Sequence, residues 1–174
     1  MAPIVGALAG GLAQMVLHYS IGKRALAEHE SELQDACGRM ARARQALLQL
    51  AEADASAYAA LNDAFRLPKE DPDRPQAIAA GADAAVVPPM ATMATCIDLL
   101  RLFERLRAIT NRQLASDLRI AAILAEAAVR ASAENIWVNL PLLGDARRAE
   151  ELSRECERSV AEACRRSAAV LARG

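Results

Sequence analysis

Of the 21 cationic side chains in this chain, 19 are Arg and only two are Lys, Lys23 and Lys69. Both lysines stand where a helix should break, in Ile21-Gly22-Lys23-Arg24 and Leu67-Pro68-Lys69. An ammonium is a compact point charge whose pKa falls readily on burial, so it can hand over a proton as a guanidinium cannot. Placement on solvated turns accounts for two lone lysines equally well. A second group is Asn111-Arg112-Gln113-Leu114-Ala115-Ser116-Asp117-Leu118. It puts Ser116 and Asp117 in the first turns of an Ala-rich helix, where the helix dipole stabilises a carboxylate. A good helix start reads the same way. The third is Asn135-Ile136-Trp137-Val138-Asn139-Leu140, whose two amides sit poorly inside a helix unless they find partners.

Other chemistries are poorly provided for. Cys37, Cys96, Cys156 and Cys164 have no CxxC spacing, and His18 and His29 are the only histidines. No metal site is expected from that set. Four unclustered thiols among apolar neighbours read as buried free cysteines in a reducing compartment such as the cytoplasm. A formal charge of −1 lacks the basic excess of a nucleic-acid binder.

The elements that must position these residues are helices. Ala occupies 41 of 174 positions and aromatic residues only 3%, which suits closely packed helices and cannot cover a β-sheet. The expected fold is all-α, a single compact bundle over residues 1–174 with about seven helices. Helix one covers about Ile4 to Tyr19, with Gly6 and Gly10 as a close-packing pair. Its apolar run from Ala2 to Leu17 is too short to span a bilayer, so it reads as a buried central helix and no membrane partner is expected. Helix two runs from Lys23 to Ala51 on a stripe of Leu26, Leu33, Met40 and Leu47. Asp54 then caps a third helix through Phe65. The proline-rich Leu67–Gln76 stretch is a loop. Gln76 to Ala85 is short, Pro88-Pro89 opens the next helix, and Asn111 caps a long one to about Leu140. Asp145 to Ala172 is the last.

The three groups fall in an order that resembles the cyclodeaminase/cyclohydrolase family. That family comprises the C-terminal domain of formiminotransferase-cyclodeaminase and stand-alone methenyltetrahydrofolate cyclohydrolases. The likeness runs through Gly6 to Val16, Ile21-Gly22-Lys23-Arg24, Asp54 to Tyr58, Leu67-Pro68-Lys69, Val87-Pro88, Asn111, Ser116-Asp117-Leu118 and Asn135 to Leu140. It implies a helical homodimer acting on one-carbon tetrahydrofolate derivatives, with a folate as substrate and no cofactor or metal. On that resemblance the expected activity is hydrolysis of 5,10-methenyltetrahydrofolate to the 10-formyl form. Cyclisation of 5-formiminotetrahydrofolate with ammonia release, or a non-catalytic folate-binding dimer, are the alternatives. Asp117 and Lys23 would transfer protons; Lys69, Asn111, Ser116, Asn135 and Asn139 would hold the pterin or the folate carboxylates. Family members carry a Gly-rich segment ending in Ser ahead of the first helix, where this sequence has Met1-Ala2-Pro3-Ile4.

Helix geometry adds one expectation. Asp117 and Asn135 are five turns apart on one helix face, ~27 Å along the axis. An antiparallel pairing of this helix about a two-fold axis would join them, with Ala121, Ala122, Ala125 and Ala128 as its close-packed seam.

Overall fold

The computed structural model describes residues 1–172, and its elements are all helical among them. Six α-helices follow in order: α1 (Ala2–His18), α2 (Glu30–Arg66), α3 (Arg74–Ala85), α4 (Val87–Leu106), α5 (Ala115–Trp137) and α6 (Ala146–Leu171). One-turn or two-turn 3-10 segments lie at Arg24–His29, Arg112–Leu114 and Leu140–Leu142.

Each break has a local cause. Gly22 holds φ at +78° and is the one described residue with positive φ, a conformation that a Cβ disfavours. Pro68 follows the end of α2, and Pro75 and Pro88 sit in the first turns of α3 and α4, where a missing N–H costs nothing. Asp145 caps α6, its carboxylate accepting from the N–H groups of Arg147 at 2.9 Å and Arg148 at 3.2 Å.

Three expected boundaries are wrong. Residues 30–66 form one helix of 37 residues, not two. Asp54 is an interior residue whose carboxylate lies 3.9 Å from the Met1 amine, and Ser56 Oγ donates back to Glu52 O. One Asp costs an uninterrupted helix under ~1 kcal/mol, less than breaking the ladder would. The stretch from Arg24 to His29 is 3-10 rather than α. At the other end α5 stops at Trp137 instead of Leu140, ahead of Pro141.

The core is built on α1. Its Gly6, Ala9, Gly10, Ala13, Val16 and Leu17 are buried, and α1 packs along both α2 and α5. From α2 come Leu33, Met40 and Leu47, all fully buried; Leu26, on the 3-10 segment before α2, is only partly so. From α4 come Leu99, Leu100, Leu102, Phe103 and Leu106. A second, smaller core joins Leu61 of α2 to Ala82 and Ala85 of α3, with Leu142 and Leu143 against them. The apolar stretch Arg74–Leu106 is long enough to cross a membrane by composition, yet 61% of its apolar window is buried inside the bundle.

Candidate functional site

The residues expected to do chemistry gather at two ends of the bundle. At the first end, Ser20 closes α1. It is fully buried, and its hydroxyl donates to Val16 O at 2.7 Å while accepting the Asn111 N–H at 2.9 Å. Asn111 Oδ1 accepts from Gln113 N at 3.2 Å, so Asn111 caps the 3-10 turn that leads into α5 rather than α5 itself. These bonds bring the end of α1 to the start of α5, and the two helices therefore run antiparallel.

Lys23 follows two residues after Ile21 on the exposed turn at this end. A second clamp fixes that turn: Glu30 Oε2 accepts from Gly22 N at 2.9 Å, and Gln34 Nε2 holds Glu30 Oε1 at 2.8 Å. Ser116 and half-buried Asp117 stand in the first turn of α5, with Ser116 Oγ 3.5 Å from Asp117 Oδ2. Lys23, Asn111, Ser116 and Asp117 thus share one end. An exposed ammonium, a hydroxyl and a carboxylate on a backbone pinned from two sides can take up and return protons at a small electrophile.

Asn135 and Asn139 occupy the second end. Asn139 is not a further helical turn of α5. It lies beyond the helix, and its Nδ2 donates to Asn135 O at 2.8 Å, satisfying a carbonyl that the helix leaves open. Lys69 stands on the loop between α2 and α3, where Arg74 Nε donates to Leu67 O at 3.1 Å. The second core ties Leu61 of α2 and Ala82 of α3 to Leu142 and Leu143, just after Asn139. Since α5 is continuous over Ala115–Trp137, Asp117 and Asn135 do lie on one face ~27 Å apart.

The small-residue seam is a correction. Ala121, Ala122, Ala125 and Ala128 are all fully buried within the chain, packed into its own core. The outward ridge of α5 carries Ile120 and Ile123 instead, and α1 turns Ile4 and Leu8 outward; these four are 43–59% exposed.

The thiols are all unpaired, but only Cys96 and Cys156 are buried; Cys37 and Cys164 are half-buried. Burial pushes the Cys96 thiol up to about 12 and Cys156 up to about 11. Cys164 Sγ lies 2.8 Å from Arg130 Nη2. No trio of His, Cys, Asp or Glu side chains is placed to hold a metal among the described residues. Sequence reasoning missed Ser20 and Glu30. A hydroxyl directly after an apolar helix, two residues before Gly22, was the available signal for the first.

The family model described as formiminotransferase-cyclodeaminase matches residues 1–158. The chain belongs to that family. It is 31% identical to a methenyltetrahydrofolate cyclohydrolase of Methylorubrum extorquens over 93% of its own length and 80% of that protein's. It is also 31% identical to the formimidoyltransferase-cyclodeaminase of Mus musculus, over 83% of this chain and 28% of the longer one. The fold is that of the formiminotetrahydrofolate cyclodeaminase of Thermotoga maritima, with a TM-score of 0.83 at 26% identity over 98% of this chain and 84% of the other. These relatives are enzymes, and by family this chain is one. Its family and its helical architecture accord with the resemblance drawn from sequence.

Proposed function

We propose that this protein is a methenyltetrahydrofolate cyclohydrolase. The observation that carries the reading is the likeness to the Methylorubrum cyclohydrolase along 80% of that protein's length. By contrast, the chain spans under a third of the mouse formimidoyltransferase-cyclodeaminase. The substrate carbon lies between two nitrogens and carries amidinium charge, so water can add to it without a covalent enzyme intermediate. Asp117 takes one proton from the attacking water as the O–C bond forms. The C–N5 bond then breaks as N5 receives a proton, with Lys23 holding or relaying it. Loss of the remaining hydroxyl proton leaves the 10-formyl product and one proton released overall. Ser116 and Asn111 hold the reacting end of the folate; Asn135, Asn139 and Lys69 hold the rest. The scheme assigns the chemistry to side chains alone and uses no cofactor.

The active unit in this proposal is a homodimer. Two observations support it: site residues stand at ends ~27 Å apart, and α1 and α5 expose Ile4, Leu8, Ile120 and Ile123 on neighbouring antiparallel helices. A second copy related by a two-fold axis would cover that face and bring the two kinds of end together. The four free thiols fit a cytoplasmic setting, and the proposal includes neither a nucleic-acid nor a membrane partner.

The likeness to the Thermotoga cyclodeaminase favours one other reading, ring closure of 5-formiminotetrahydrofolate with loss of ammonia. The methenyl chromophore separates the two. The cyclohydrolase consumes it with water alone, whereas a cyclodeaminase generates it from the formimino substrate and releases ammonia. Turnover of the formimino substrate without hydrolysis of the methenyl form contradicts the proposal.

A further inference from the structure

A cavity of about 1020 Å³ opens between the C-terminal end of α4, the lead-in to α5 and the last turn of α6. Its walls are cationic and its floor apolar: Arg107, Arg112 and Arg119 line it, with Leu118 and Val170 beneath. Among the described residues Glu104 is the one carboxylate in the lining, and it is already committed, accepting from Arg166 Nη1 at 2.8 Å. Arg107 has a structural task as well, since its Nη1 donates to Ala169 O at 2.7 Å and closes the end of α6. Among the described residues, neither Arg112 nor Arg119 has a carboxylate within 4.0 Å.

Other arginines on this surface also lack an acid, but Arg107, Arg112 and Arg119 line a single cavity, whereas Arg101, Arg105, Arg130, Arg147, Arg148 and Arg154 each pair with a carboxylate. Three guanidiniums around one cavity repel each other unless an anion joins them, and their planar forks match carboxylate and phosphate oxygens in pairs. The cavity is also not the site described above. Arg112, Ala115 and Arg119 face it from the side of α5 that meets α4 and α6. Asp117 precedes Arg119 by two residues, about 200° around the helix, and so points away from it.

We infer that this cavity binds a small, multiply charged anion, a polyphosphate or a polycarboxylate, at a site separate from that of Asp117, with Arg112 and Arg119 as its recognition residues. Titration calorimetry of the full chain with sodium pyrophosphate and, separately, with citrate tests it at low salt. The wild-type protein should bind at least one of them saturably, one per chain. The Arg112→Gln/Arg119→Gln double variant should bind it at least ~10-fold more weakly, with its ligand-free hydrolysis of the methenyl substrate within about twofold of wild type. The arm that binds tighter identifies the anion chemistry. Should that variant not fold, Arg112→Lys/Arg119→Lys keeps the charge without the fork and should still weaken binding. No saturable heat with either anion, or equal affinity in wild type and variant, overturns the inference. Loss of hydrolysis in a folded double variant overturns the separateness of the site without touching the proposed activity.

Discussion

Ser20 and Asn111 stand 91 positions apart in the chain, yet the buried Ser20 hydroxyl accepts the Asn111 N–H at 2.9 Å. Through this bond the turn bearing Lys23 is held against the start of the helix bearing Asp117. Ser20→Ala leaves the Asn111 N–H without its partner and should cost ~1–3 kcal/mol. Urea denaturation measures the loss, and kcat should fall with it as the two halves of the site loosen. An unchanged midpoint and unchanged kcat would show that the bond positions nothing.

The two lysines should separate by kinetics. Lys23→Arg keeps the charge but not the proton-transfer chemistry, so kcat should fall ~10²-fold. Lys69→Arg, on the loop after α2, should raise KM modestly and leave kcat alone. Steady-state kinetics on both variants decide, and equal, negligible effects would make the lone-lysine pattern an accident.

Two glycines of α1 should respond in opposite senses. A Cβ on Gly6 would sit 2.7 Å from Cys96 Sγ and 3.3 Å from the Leu47 methyls, whereas at Gly10 the nearest atom is 3.7 Å away. Gly6→Ala should therefore lose ~1–3 kcal/mol to overpacking. Gly10→Ala should be neutral or gain up to ~1 kcal/mol from helix propensity. Thermal melts of the two variants give the comparison; equal destabilisation would mean that α1 packs elsewhere than described.

Thiol reactivity should follow burial. Alkylation requires the thiolate, and burial raises Cys96 to about 12 and Cys156 to about 11. At pH 8 both should stay protonated and unlabelled by iodoacetamide while half-buried Cys37 reacts, as peptide mass spectrometry can follow. Labelling of Cys96 as fast as Cys37 in folded protein would contradict this packing.

How much of this the sequence shows depends on the range of the interaction. Asp145 was legible as a cap because its partners are two and three residues away. Asp54 carried the same local signal and misled, since an Asp before an apolar run looks alike whether or not the chain turns there. The burial of Ala121, Ala122, Ala125 and Ala128 could not be assigned from a helix with alanine on several faces. Only packing against α1, α4 and α6 selects the inward one. The separation of Asp117 from Asn135 was legible because it is helix arithmetic. Ser20 was not, because a bond across so long a stretch leaves no local pattern.

In the proposed homodimer each active site combines the Asp117 end of one subunit with the Asn135 end of another. Mixing Asp117→Asn chains with Asn135→Ala chains, under conditions where exchange between subunits is verified, tests it directly. Each parent alone should lose ~10²-fold or more in methenyltetrahydrofolate hydrolysis. The mixture should regain activity, because each heterodimer then holds one site with both ends intact. A verified heterodimer as inactive as its parents, or a fully active monomer, would contradict the account.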